Sequence, residues 1–547
     1  MRPIGRRGFL KTASAGVIAW TVPLSLISQA AKSQVSEALT ETNPYDRKQL
    51  RELAHQALES ARAAGAAFAD VRIVVGQQLM FGVSMKKGVE DLSFTRTSTI
   101  GVRAVVDSTM GFAGDVLRLN ADKVASVALS AVSRSRAGRA RTRRAFEFAP
   151  TPAVNGAWQT PIELDPFTVP LGEQEELALS AFSELRGGDA NDVLDCGCTF
   201  NWVRRDEIFA STDGSFVEQR TYSAIPTAMV SAQSVHERFW IHRQVNSFLA
   251  GGHGYESVSK ANLSTEFARV AADVRRMRFR PVKTVDVGRY DLVIGARATA
   301  EILGKTIGNP LELDRALLIA ANSKGPTYAS PPADILGKFH LASELVNIGA
   351  DRSRPGANAT VSWDSEGVKP DDFELVEKGV IMDYITSRQT SPALRSWYAA
   401  HGRDMHSHGC ASDSGSRQPA LHLPNLTLRS GSAQTSEEDL VQDVKHGFFI
   451  ESLNVIVDQA ALNSQASIAM GEEIVNGKRT GFCKDMAVQF STPQFWKSVD
   501  AIGGPRSSSV AQFFFGTPSV EQLGFVAIAA VPILVRKINV INTGKIG

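Results

Sequence analysis

The side chains best suited to chemistry in this 547-residue chain gather in one short run, His401 to Cys410, which reads HGRDMHSHGC. His406 and His408, two residues apart, share one face of an extended strand. Cys410 adds a thiol, so His401, His406, His408 and Cys410 form a candidate set of metal ligands. The same run also fits a polar loop that simply contains histidines, and both readings stand. His236-Glu237 followed by His242 looks like a zinc-peptidase pair, but six residues do not return the second His to the first one's helical face. The residues between them alternate like a strand, so structural histidines are expected. Ser414-Gly415-Ser416 and Ser507 to Ser509 lie in predicted loops and lack a Gly-x-Ser-x-Gly elbow. Cys196 and Cys198 point to one face of a strand but sit too close along the chain for a comfortable bridge. With no readable partner for Cys410 or Cys483, buried thiols are the expected state of all four.

The elements that must position these groups follow from periodicity. Gln49 to Gly65 is amphipathic, with Leu50, Leu53, Ala54, Ala57, Leu58 and Ala61 on one stripe and Gly65 as the stop. Ala69 to Val75 reads as a strand, followed by β segments to Val106, a turn over Asp107–Gly111, and a helix from about Asn120 to Ser133. Ser135 to Arg144 is basic without aromatics, which predicts a solvated loop rather than a nucleic-acid surface. A helix over Leu171–Leu185 precedes a β region over Val193–Val230, turned at Ser211–Ser215. From Tyr290 the chain is strand-rich, broken by helices near Ala298–Ile307 and Ser436–His446. Gly524 to Val535 predicts one or two buried strands. The order predicts an α+β protein: an N-terminal α/β domain over 46–280 and a C-terminal, mostly antiparallel, barrel-like β domain over 281–547.

The first 30 residues read as an address. Arg2, Arg6, Arg7 and Lys11 precede an apolar stretch, Thr12 to Ile27, and a small-x-Ala site ending at Ala30. This is the layout of a cleaved signal peptide, and Arg6-Arg7-Gly8-Phe9-Leu10-Lys11 resembles the twin-arginine signal of the Tat exporter. Residues 31–45 form a linker. The expected location is periplasmic or exported, and no later segment is long enough to span a bilayer as a helix. The 59 basic and 57 acidic residues give a charge of +2. Without residues 1–30 the balance is 55 basic against 57 acidic, which argues against a nucleic-acid binder.

Several segments together resemble the TldD/PmbA family of metallopeptidase-related proteins: Ala57–Ala66 with Phe68-Ala69-Asp70-Val71-Arg72, Gly101-Val102-Arg103 through Asp107 to Gly111-Phe112-Ala113, Asp364-Ser365-Glu366-Gly367-Val368 on to Glu377–Val380, and Glu472 to Gly477. The resemblance implies an active site in the C-terminal domain, where catalytic members hold zinc through His-Glu-x-x-x-His on a helix and a later Cys. Three protein ligands leave one zinc position for an activated water, and the Glu accepts its proton. Gly295 to Asp314 aligns with that helix and keeps Gly308, Leu311, Glu312 and Asp314. The first ligand position is then Gly304, the general base Lys305 and the second ligand Asn309, while the third ligand falls around Phe515. None of the four supplies the required chemistry, and no cofactor is expected there.

The resemblance therefore implies an exported, zinc-less subunit of TldE type or a peptide-binding scaffold, pairing with a TldD-like zinc-bearing subunit to enclose short or unfolded peptide substrates. One alternative is an active metallopeptidase with zinc relocated to the His401–Cys410 run. Another is a structural or binding homodimer.

Overall fold

The computed structural model describes residues 46–84, 88–139, 146–186, 194–236, 240–246, 251–260, 263–412, 415–431, 435–468, 470–516 and 523–544, with 18–21, 35 and 37–38 ahead of them. Arg6, Arg7 and Ala30 lie outside the described residues. Ile18–Thr21 forms a short strand on Ser93–Arg96.

The N-terminal part is built on very long antiparallel strands, Phe68–Ser84, Gly88–Val106, Leu194–Ser211 and Phe216–Gln233, extended by Thr109–Val116, Trp240–Asn246 and a parallel edge strand, Asn155–Gln159. Successive side chains of a strand point to opposite faces, and Phe68–Ser84 uses this to serve two masters. Odd positions Val71 and Ile73 pack under helices Arg47–Ala63 and Ala121–Gly138, while odd positions Leu79, Phe81 and Val83 pack under helices Leu171–Arg186 and Leu263–Arg278. Even positions Asp70, Arg72 and Val74 face the other way, toward the C-terminal part. The stripe predicted for Arg47–Ala63 is the buried one, and Gly65 ends that helix at φ +90°. Asp107 and Ser108 both have positive φ, as a two-residue I′ hairpin requires.

Two expectations are corrected. Ser135–Gly138 continues the helix Ala121–Gly138 instead of opening a loop, because Arg136 at its last turn donates to the Ala64 carbonyl, and Ser135 bonds Thr109 O and Val106 N–H across to the hairpin. Residues 140–145 of the basic run lie outside the described residues. The helix expected over Ser436–His446 spans only Glu437–Gln442, started by a capping box between Ser436 and Asp439. His446 already belongs to the strand His446–Ile450, which pairs in parallel with Gly288–Ile294.

The C-terminal part holds two larger sheets among the described residues. One runs from Asn454–Val457 through Ile533–Asn542, Gly288–Ile294 and His446–Ile450 to Val282–Thr284, and the other from Val380–Ile381 through Ile348–Asp351 and Asn425–Leu428 to Leu523–Ala530 and Ser509–Gly516. Most pairs are antiparallel. The apolar stretch Gly524–Val535 supplies two consecutive core strands, one to each sheet, broken at Val531-Pro532. Between the sheets the largest core closes around helix Ala296–Leu303, with Ile302, Leu303 and Ile307 fully buried. No described helix is long and apolar enough to cross a membrane. Cys196, Cys198, Cys410 and Cys483 are all buried thiols.

Candidate functional site

Helix Ala296–Leu303 changes pitch at the positions that matter. Gly304–Gly308 is π-helical, with the Asn309 N–H donating to Gly304 O, and Asn309–Leu311 tightens into a 3-10 turn. On an α-helix, residues five apart are 140° away from one another. A π-turn bonds i to i+5 and brings positions 304 and 309 to the same side. The wide turn is braced: the Tyr328 hydroxyl donates to Thr306 O at 2.9 Å, and Trp496 Nε1 donates to Thr306 Oγ1 at 3.0 Å. At Gly308 a Cβ would fall 2.7 Å from Leu423 Cδ1 and 2.8 Å from Leu426 Cδ1, so only glycine lets the turn approach those core side chains.

The residues on this turn do not fit a zinc ion. Gly304 offers no ligand atom. Lys305 Nζ has no lone pair as an ammonium; it donates to Val455 O at 2.7 Å and stands 3.7 Å from Glu301. Asn309 is a weak zinc ligand beside imidazole or thiolate. Phe515 lies on the strand Ser509–Gly516 opposite Gly524. Glu312 and Asp314 are buried and share one partner: Lys324 Nζ donates to each at 3.0 Å and also to Leu421 O at 2.5 Å. Burial, only partly offset by Lys324, pushes the Glu312 carboxyl up to about 7.

A second buried network joins the two halves of the chain, and sequence reading missed it as a unit. Arg103 donates from Nε (3.0 Å) and Nη2 to Asp70 Oδ2, and from Nη1 to Glu366 Oε1 at 2.6 Å, while Arg72 also binds Asp70. All four side chains are buried. Burial opposes ionisation of Asp70, but Arg103 and Arg72 hold its carboxyl below the usual range. Glu366 also accepts from the Arg388 N–H, and Asp364 accepts from the N–H groups of Glu366, Val368 and Ala411. Beside this network, a Cβ at Gly101 would lie 2.2 Å from Gly415 O, and one at Gly114 2.0 Å from Ser416 O. Three of the segments that carried the family resemblance thus converge on one docking surface.

The third feature is a cavity of about 570 Å³ lined by Asp371, Trp397, His401, Arg403, His406, His408 and Arg429, among others. The loop after helix Arg395–Ala400 brings His406 and His408 over Asp371, two residues before the strand Phe373–Glu377. Asp371 Oδ1 lies 2.8 Å from His408 Nδ1, and Oδ2 lies 3.2 Å from His406 Nε2. The His408 ring is buried and stacks on Phe373 at 3.7 Å, with Nε2 3.3 Å from the buried Asp383 Oδ2. Burial lowers the pKa of His408, but its bonds to Asp371 and Asp383 outweigh that and carry it up to about 9. Burial raises Asp371, and both histidines pull it well below the ordinary carboxylate range. His401 lines the cavity but turns its Nδ1 to Trp397 O at 2.8 Å. Cys410 is buried with Sγ toward His408 O, and burial pushes its thiol up, away from thiolate. Of the four residues singled out in the run, the structure brings His406 and His408 together and adds Asp371, 37 residues upstream of His408. His236 and His242 stay apart from any such cluster; His236 Nε2 binds Phe279 O at 3.0 Å.

A half-barrel β sheet carrying a π-turned helix, docked through buried ions onto a helix-covered sheet, makes this a mixed α+β protein. The comparisons agree. Residues 287–542 match the PmbA/TldA metallopeptidase C-terminal domain. The chain is 21% identical over 440 residues to a metalloprotease of Methanocaldococcus jannaschii, covering 80% of this chain and 89% of that one. A metalloprotease of Methanothermobacter thermautotrophicus is 23% identical over 441 residues, covering 80% and 88%. Among solved structures, a Thermotoga maritima protein described as a candidate modulator of DNA gyrase superposes with a TM-score of 0.68 at 14% identity, over 90% of this chain and all of that one. TldE of Thermococcus kodakarensis superposes with a TM-score of 0.65 at 12% identity, over 89% and 99%. The family match thus covers the C-terminal part of the chain, and the likeness to the two metalloproteases extends over 80% of it.

Proposed function

We propose that the protein is a partner subunit of TldE type, lacking zinc at the turn Gly304–Asn309 and exported through the Tat pathway, that walls a peptide-binding chamber completed by a relative bearing zinc there. The observation that carries this reading is the π-turn of Gly304–Gly308: its i, i+5 geometry is that of a ligand pair, yet the side chains at 304, 305 and 309 are Gly, Lys and Asn, and Lys305 Nζ is tied to Val455 O. The fold it shares with a TldE supports the same reading.

The test is co-expression with a zinc-bearing family member from the same genome, followed by tandem affinity purification and hydrolysis of short unstructured peptides. A stable complex that cleaves peptides, with no cleavage by this chain alone, is the expected result. Cleavage by this chain alone that survives Lys305→Ala, or the lack of any complex at micromolar concentrations of both chains, overturns the proposal.

A further inference from the structure

We infer that Asp371, His406 and His408 form a binding site for one divalent transition-metal ion of the zinc type, opening onto the 570 Å³ cavity and distinct from the ligand helix at Gly304–Gly308. Among the described residues this is the one group of three or more potential ligands whose donor atoms converge, all within 4.8 Å of one another.

The distances suit a metal. Two ligands about 2.1 Å from a tetrahedral zinc stand roughly 3.4 Å apart. Here the two oxygen–nitrogen separations are 2.8 and 3.2 Å, so a small opening of the cluster admits the ion. Two imidazoles and one carboxylate are also the ligand types that borderline divalent ions select, and three protein ligands leave a coordination position free.

The surroundings of the rings argue the point independently. A metal-binding histidine nearly always donates its other ring N–H to a carboxylate or a backbone carbonyl, which fixes its tautomer. His406 Nδ1 donates to Asp404 O at 2.9 Å, which leaves Nε2 for the ion. His408 Nε2 faces the buried Asp383 carboxylate, which leaves Nδ1 for the ion. Asp383 is itself held by the Tyr384 N–H at 2.8 Å and the Tyr398 hydroxyl at 3.1 Å. Phe373, stacked on His408 within 7° of parallel, locks the ring plane. Each imidazole therefore has an acceptor beside both of its nitrogens, and an ion at the Asp371 end would bind by displacing the protons that otherwise bridge His406 Nε2 and His408 Nδ1 to that carboxylate.

Access is in place as well. His406 and Asp371 keep about two-fifths of their side-chain surface exposed, whereas His408 forms the buried floor. Asp351, Asp372, Glu374 and Glu377 line the same cavity beside Arg403 and Arg429, and Arg429 is paired with Glu374, so the approach to the site is mainly acidic and would concentrate a divalent cation.

The test uses the full chain, stripped with chelator and titrated with Zn²⁺ against a chromophoric competitor, and separately with Co²⁺. One zinc per chain is expected. His406→Ala and Asp371→Asn should weaken it at least about 100-fold, and Asp383→Asn about 10–100-fold. His401→Ala, Cys410→Ser and Lys305→Ala should leave the affinity unchanged, and the Co²⁺ spectrum should lack a thiolate charge-transfer band. His406 is half-buried, so His406→Ala should melt within a few degrees of the wild type, which separates lost ligation from lost folding. No zinc bound by the wild type, zinc retained by His406→Ala, or zinc lost in Cys410→Ser each overturns the inference. The readout is metal binding alone, so its outcome is independent of whether a partner subunit is found.

Discussion

Replacing Lys324 by Met tests whether the ligand helix is held in place by the buried charges beyond it. Lys324 Nζ lies 3.0 Å from both Glu312 Oε2 and Asp314 Oδ2, and all three side chains are at most 6% exposed. At 3.0 Å and an effective dielectric of about 20, each contact is worth roughly 5.5 kcal/mol before desolvation is subtracted. Removing the cation leaves two buried carboxyls facing one another, and breaking such a pair costs about 3–5 kcal/mol. For a domain of about 250 residues this is a fall in melting temperature of roughly 10 °C. The Met side chain matches the aliphatic stem of Lys, so packing should change little and the loss is electrostatic. The pH dependence then has a definite sign. The Glu312 carboxyl already sits near 7 rather than its usual 4.5. A folded-state pKa above the unfolded one means that the folded chain takes up protons, so stability from this group rises as pH falls from about 7 to 4.5 and is lost as pH rises through 7. Without Lys324 the Glu312 carboxyl is driven higher still. Melting followed by circular dichroism should show Lys324→Met far below the wild type at pH 8 and closer to it at pH 5. The triple variant Glu312→Gln, Asp314→Asn, Lys324→Met should regain much of the loss, because no buried charge is left alone. A deficit under 1 kcal/mol at pH 8, or one that grows on acidification, would refute the reasoning.

Glu366→Gln removes the carboxylate that Arg103 reaches from the N-terminal sheet; with Asp70 still paired, a loss of about 2–4 kcal/mol is expected, read as an earlier thermal transition. Gly114→Ala drives a Cβ into the backbone of Ser416, so the loop around 415–416 must lift from the sheet, and limited proteolysis should cut there faster with the helix-covered sheet otherwise intact. In a His406→Ala background, Gly304→His, Lys305→Glu, Asn309→His and Phe515→Cys together should confer one zinc per chain by elemental analysis. Omitting Asn309→His should abolish it, since a π-turn is useful only to a ligand pair five residues apart.

Helices and long strands were legible because their periodicities are local. The stripe of Leu50, Leu53, Ala57 and Leu58 is set by a helix packing on one face, and the run Ala69–Val75 by a strand buried on both. The groupings that matter for function were less legible, because their members are far apart in sequence. Asp371 lies 35 residues before His406, in a stretch with no pattern of its own, and only the return of the chain beside the strand Phe373–Glu377 makes it a neighbour. Arg103 and Glu366 are 263 residues apart. The His-x-His spacing was a usable signal for two of the three residues in the group Asp371, His406 and His408. Asp383 gave none, since its role depends on where the ring of His408 ends up. Cys410 misled for a physical reason: a thiol two residues from a histidine points to the other side of the loop when the intervening Gly409 takes a φ of +68°.

The π-turn stands without metal-ligating side chains because of what surrounds it. A wide turn costs hydrogen-bond geometry, so it persists where the surroundings over-determine it. Here they do: Tyr328 and Trp496 bond Thr306, Gly308 admits Leu423 and Leu426, and Lys324 links Glu312 and Asp314 to the carbonyl of Leu421, two residues before Leu423. None of these groups is a ligand. The retained Gly308, Glu312 and Asp314 are therefore accounted for by packing and charge balance around the turn, and their presence carries no information about whether zinc binds. That information resides in positions 304, 305, 309 and 515. Lys305 adds to it, because an ammonium hydrogen-bonded to Val455 O places a positive charge beside the turn and would repel a divalent ion even if one ligand were restored.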